Sequence, residues 1–200
     1  MEPFLAIGEL LKNRGHEVIC LFPAQFKSLV EDSGMRFSSL GSEFIEMLES
    51  DIGKYVLGGG GAKWKKIIAY IKLAQIQSKN NKQMLQRQQQ TIEEEKPDRI
   101  VHNGKVMYPL FWEVENEGKT IFVSPVPYLH YVKGHTHLAF KSNYGTFLNK
   151  LTYKLADWGL LRTIMSCKAS LKKSDVSKNQ IRNVLESHKI IYTISPQLFK

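Results

Sequence analysis

Cysteine is scarce in this sequence of 200 residues. Only Cys20 and Cys167 occur, far apart and without a C-x-x-C partner. That leaves no material for a disulfide framework and fits two reduced, non-catalytic thiols in a cytoplasmic protein. No apolar run approaches the ~18 residues that a spanning helix needs. The N-terminus shows no basic start followed by an apolar stretch, so no signal peptide is expected. Gly58 to Gly61 is glycine-rich, but no Gly-Lys-Ser/Thr follows, which excludes a phosphate-binding P-loop and leaves a flexible link.

Acids are missing from two long stretches. From Ile52 to Ile92 there are eight Lys or Arg and no Asp or Glu; from Lys133 to Lys173 there are eight more, with Asp157 the only acid. The formal net charge of +9 is therefore regional, and the rest of the chain is acidic on balance. A concentrated positive surface suits an anionic partner: nucleic acid, an acidic membrane surface or a phosphorylated ligand. Nucleic acid is the weakest of the three, because no reading motif and no aromatic-rich basic sheet pattern is present. His135-Thr136-His137 has two imidazoles but no third ligand of known geometry, so no metal is expected.

What is present alternates between helix and strand. Phe4, Leu5, Ile7, Leu10 and Leu11 repeat at helical spacing, Pro3 suits a first turn and Gly15 a C-terminal cap, so a helix is predicted over Pro3–Arg14. His16 to Phe22 reads as a buried parallel strand stopped by Pro23. A helix is predicted from Ala24 to Ser33 with Gly34 as its cap, then a strand from Arg36 to Leu40. Lys63 to Glu95 reads as one long helix or two shorter ones. Trp64, Ile67, Ile68, Ile71 and Ala74 share one face of it, and the Gln-rich part from Gln83 to Gln90 is expected to be solvated. Arg99–His102 and Thr120–Val123 are predicted strands with a helix from Val106 to Glu115 between them. A long loop to Gly145, helices over Phe147–Leu161 and Asn179–Ser187, and a strand over Ile190–Ile194 complete the pattern. Alternation of this kind predicts a doubly wound α/β fold around a parallel sheet. The opening helix has a wide apolar face and no strand before it, so a strand and its loop are expected upstream of Met1.

These pieces, in this order, resemble bacterial and fungal lipid and sterol glycosyltransferases of the nucleotide-sugar-dependent GT-B type. The likeness is carried by Glu2 to Val18, by Pro23 to Gly34, by Arg36-Phe37 with Leu40-Gly41, and by Lys96-Pro97-Asp98-Arg99-Ile100-Val101. Gly118 to Pro127 and an Asn-x-x-(Ser/Thr)-Tyr segment at Asn149, Thr152 and Tyr153 continue it. The resemblance implies that residues 1–200 are a partial N-terminal, acceptor-binding domain. In such enzymes a C-terminal domain holds the UDP-sugar co-substrate, and nothing in these residues resembles it. It implies no catalytic residue within the chain, because the general base of these enzymes comes from the turn before the first helix. It further implies a hydrophobic small-molecule or lipid acceptor, with Asn103, Lys105, Ser124, Tyr128 and His130 as candidate acceptor contacts. His102 reads as a satisfied strand-end histidine.

The helix beginning at Lys63 has a further reading. Trp64 with the isoleucines on one face and Lys63, Lys66 and Lys72 elsewhere can lie in an anionic membrane interface, giving a peripheral protein at the inner membrane face. The competing reading is a core-packed helix with a solvated lysine face. For the chain as a whole, the alternative from another class is a non-catalytic α/β binding module with a basic surface.

Overall fold

A computed structural model describes residues 2–58, 63–104, 106–126, 129–140, 142–172 and 175–193. The chain divides into two compact units, Met1–Glu95 and Lys96–Lys200. The architecture is α/β with parallel strands, as the alternation predicts. The strands form two small sheets, one in each unit.

In the first unit, helix α1 (Glu2–Asn13) is followed by strand β1 (Ile19–Phe22). A 3-10 turn at Ala24–Phe26 leads into α2 (Lys27–Asp32), and β2 (Arg36–Ser39) follows. β1 and β2 pair in parallel from Ile19 opposite Arg36 to Phe22 opposite Ser39. Gly15 and Gly34 end their helices with φ of 87° and 65°, values that favour glycine. Leu5, Cys20, Val30 and Met35 form the buried core, and Val18, Phe22 and Phe37 pack against it.

Helices α3 (Glu43–Glu49) and α4 (Asp51–Leu57) come next. One serine joins them: the Ser50 hydroxyl donates to Met47 O and accepts from Gly53 N, closing α3 and capping α4. Helix α5 (Lys63–Glu95) is a single helix of 33 residues. Its two halves reverse the expected burial. Asn80, Met84, Leu85, Gln88, Gln89 and Ile92 are buried, whereas Trp64, Ile67, Ile68 and Ile71 are exposed. The expectation of a solvated Gln-rich part therefore fails at Gln88 and Gln89. Buried amides are stable when they are bonded, and Gln89 Nε2 donates to Glu93 Oε1 at 2.7 Å while Asn80 Nδ2 donates to Glu43 O at 3.0 Å. The core-packed reading of the apolar face at Trp64 fails as well. The lysines predicted beside that face stand on the same exposed part of the helix, Lys72 among them; the side chains of Lys63 and Lys66 lie outside the described ones.

The second unit holds β3 (Ile100–His102), α6 (Tyr108–Glu115), β4 (Thr120–Ser124), α7 (Thr146–Cys167), α8 (Lys178–Ser187) and β5 (Ile190–Tyr192). The strands run parallel in the order β3-β4-β5, with His102 opposite Phe122 and Ser124 opposite Tyr192. β4 is central and almost wholly buried, which explains its apolar run. Pro109 occupies the first turn of α6, and Ser177 with Gln180 forms a two-sided cap on α8. Among the described residues no helix is long and apolar enough to cross a membrane.

Candidate functional site

Ligands of open parallel sheets bind outside the carboxyl ends of the strands. In the second unit those ends are His102, Ser124 and Tyr192. His102 is buried, and its Nδ1 lies 3.2 Å from Asn103 O. A carbonyl only accepts, so Nδ1 carries the proton and Nε2 of the neutral ring is an acceptor. His188 Nε2 is 3.3 Å away and also 2.9 Å from Thr120 Oγ1, so His188 is the donor to His102. The Nδ1 of His188 is then a buried acceptor with no partner. Burial, with the neighbouring His188, lowers the pKa of His102 to about 3, and burial lowers that of His188. This pair joins β3, β4 and the start of β5. It is an interior tie, since both rings are buried.

The sequence candidates fall in different places. Asn103 is half-buried at the end of β3, where its carbonyl accepts from His102 and from Val106 N. Ser124 is buried, its hydroxyl donating to Val126 O at 2.6 Å and accepting from Val126 N at 3.3 Å, which spends it on a local turn. His130 is exposed, and its Nδ1 lies 2.8 Å from the hydroxyl of Tyr192. Lys105 and Tyr128 lie outside the described residues.

Of the described candidates, His130 lines a cleft. That cleft holds about 380 Å³ and is lined by Leu129, His130, Lys154, Asp157, Trp158, Leu161, Arg182, Leu185 and Glu186. A larger depression of about 460 Å³ in the first unit is lined by Glu43, Gln75, Ile76, Lys79, Asn80 and Gln83. It lies at α3 and α5 and has neither an aromatic wall nor an imidazole, so the smaller cleft is the better site.

Helices α7 and α8 supply most of this cleft. Asp157 lines the cleft and is exposed as a residue. Desolvation, opposed by His137 and His130 and reinforced by Glu186, raises its pKa. Tyr192 beside His130 is shifted upward by burial, and so remains a neutral phenol. Trp158 is exposed and Arg162 stacks over it at 5.3 Å from the ring centroid. The cleft thus combines leucine and indole surface with two cations, two carboxylates and one imidazole. It can hold an amphipathic molecule with its apolar body on Trp158 and a hydroxyl or charged group near Asp157 and His130. Sequence reasoning missed Trp158, Arg182, Glu186 and Tyr192 as site residues. It noted Asp157 as the single acid of a basic stretch, which was the available signal.

The Asn-x-x-Thr-Tyr segment of α7 has a clear structural role. Asn149 is fully buried, accepts from Tyr144 N at 3.0 Å and donates to Gly134 O at 3.1 Å and to Asn143 Oδ1 at 2.9 Å. Thr152 Oγ1 accepts from His137 N at 2.9 Å and donates to Asn149 O at 2.6 Å. Tyr153 meets Tyr131 and His137 edge to face. The inward face of α7 is therefore polar at its start, because it satisfies the backbone of the loop between β4 and α7. The outward face carries Phe147, Leu148, Leu151, Leu155 and Trp158, all exposed. His137 is occupied with Ala139 N and Tyr153, and among the described residues no group of three His, Cys, Asp or Glu could hold a metal ion. No known protein family matches this chain, and no curated protein is similar to it.

Proposed function

We propose that this chain is the acceptor-side α/β domain of a two-domain glycosyltransferase that moves a hexose from a nucleotide sugar, a UDP-sugar, to a lipid, sterol or other hydrophobic acceptor. The observation that carries the reading is the cleft beside the strand ends of the second unit. There an apolar wall of Leu129, Trp158, Leu161 and Leu185 stands next to Asp157 and His130. Such a wall suits the body of a hydrophobic alcohol, and the polar pair suits its hydroxyl. The ordered resemblance of the helices and strands to lipid and sterol glycosyltransferases supports the same function. In those enzymes the donor site lies in a separate domain, so this chain binds acceptor and does not turn over UDP-sugar by itself.

The test is fluorescence titration of the chain with a hydroxylated steroid and with a long-chain alcohol, in a Trp64→Phe, Trp112→Phe background where Trp158 is the only indole. Saturable quenching is expected, lost in a parallel titration of Trp158→Ala followed by calorimetry. A flat titration with every hydrophobic alcohol would sink the acceptor reading. The competing function, a non-catalytic binding module with a basic surface, draws on the acid-free exposed half of α5. It predicts binding to polyanions without binding to these alcohols.

A further inference from the structure

Between Trp64 and Lys79 no described side chain of α5 is buried; the first buried one among those described is Asn80. On the leading half of α5, among the described side chains, only Ala69, Leu73 and Gln77 are half-buried, and at i, i+4 and i+8 they share the face opposite Trp64. The Trp64–Lys79 stretch is about 22 Å long at the helical rise. Trp64, Ile67, Ile68 and Ile71 stand at i, i+3, i+4 and i+7 and so share one face. Trp64 is 79% exposed, and the three isoleucines are each about half exposed. Lys65, Lys72 and Lys79, seven residues apart and all exposed, form a line along one border of that face. No acid occurs from Ile52 to Ile92. A solvated apolar face is costly to a soluble chain unless something covers it.

The charge decides what covers it. A second copy of this helix would bring a second acid-free line of lysines against the first, which is repulsive. An anionic bilayer offers both phases that the arm presents: hydrocarbon for the indole and isoleucines, and phosphate or carboxylate headgroups for the ammonium groups. Tryptophan at the tip suits the boundary between the two. We propose that the leading turns of α5 form a membrane-docking arm, which lays Trp64, Ile67, Ile68 and Ile71 into the headgroup region of an anionic bilayer while Lys65, Lys72 and Lys79 contact its lipids. This surface lies wholly within the first unit and does not depend on the acceptor cleft.

The experiment is cosedimentation of the chain with vesicles of phosphatidylserine and phosphatidylcholine, compared with phosphatidylcholine alone. Binding is expected to the mixed vesicles and to fall at least about tenfold in 1 M salt, where the screening length is about 3 Å. Trp64→Glu with Ile68→Glu is expected to weaken binding at least about tenfold, since it removes apolar surface and adds repulsion. Both positions are exposed, so the far-ultraviolet circular dichroism of that variant should match the unsubstituted chain. A direct readout guards against a variant that fails to fold. In a Trp112→Phe, Trp158→Phe background, brominated lipid should quench Trp64. Equal binding to neutral vesicles, unquenched Trp64, or a double variant that binds as tightly as the unsubstituted chain would each overturn the proposal. So would a concentration-dependent dimer, lost in the double variant, in a chain that leaves vesicles in suspension.

Discussion

Removing the charge of Glu43 should destabilise the first unit at neutral pH and leave it almost unaffected in strong acid. Arg87 grips both carboxylate oxygens, Nη1 to Oε2 at 2.7 Å and Nη2 to Oε1 at 2.6 Å, and Nη1 also donates to Leu40 O at 2.8 Å. One guanidinium thus fastens α5 to the start of α3 and to the end of β2. The arginine bonds hold the Glu43 pKa at about 2, below its ordinary 4.5. Without solvent screening, that depression would correspond to about 3 kcal/mol. Both side chains are about one-third exposed, 36% for Arg87 and 34% for Glu43, so solvent screening reduces the contribution to about 1–2 kcal/mol. The folded pKa is depressed, so the unfolded chain binds the proton more readily. The stabilisation is complete above pH 4.5 and is lost as pH falls toward 2. Glu43→Gln should therefore lower the unfolding free energy at pH 7 by about 1–2 kcal/mol in urea titrations. The gap between variant and unsubstituted chain should close between pH 4.5 and 2. Arg87→Met should cost more, because it also strands the Leu40 carbonyl, and the double variant should reveal the coupling. A gap that is the same at pH 7 and pH 2, or absent at both, would refute the assignment of this pair.

Three further outcomes follow from the packing. Asn149→Ala should destabilise the second unit by about 1–3 kcal/mol, since it removes the three hydrogen bonds by which a buried amide ties α7 to the loop before it, and hydrogen exchange should show that loop opening first. Stability of the second unit should decline as pH falls from 6.5 toward 3, by at most about 1.4 kcal/mol per pH unit for each histidine. The sign follows because His102 and His188 have lowered folded pKa values, so the unfolded chain takes up protons first; imidazole resonances of His102 titrating at 6.5 would contradict it. Gly53→Ala should cost at least about 2 kcal/mol in thermal melts, because the added methyl would lie 2.3 Å from Met47 O and 2.5 Å from Leu48 O, and backbone cannot swing aside.

The parallel strands were legible because two-sided burial needs apolar runs, as at Ile19–Phe22 and Thr120–Ser124. Helix α1 was legible because its apolar period and its Gly15 cap agree. The halves of α5 were not. Period and polarity state which residues share a face, but not whether that face meets protein or solvent, and here the glutamines meet protein and the isoleucines do not. Helices α3 and α4 went unassigned because each has only seven residues and a single serine both ends one and begins the other. At the site, His130 stood out by type and by position after a strand. Trp158, Arg182 and Glu186 did not, because they converge only when α7 and α8 pack, and no local spacing announces a contact between helices.

The Asn149–Thr152–Tyr153 face of α7 also has a mechanical meaning. The same helix presents Lys154, Asp157 and Trp158 to the cleft, one to two turns further along. A helix that turns about its axis moves every side chain together. Rotation that repositioned Trp158 or Asp157 would pull Asn149 from Gly134 and Thr152 from His137, and would release the segment that carries His130. The cleft wall and the loop are therefore one rigid gear. A ligand that fits the wall as it stands meets an already assembled pocket, whereas one that demands a turn of α7 must unlatch the loop to enter.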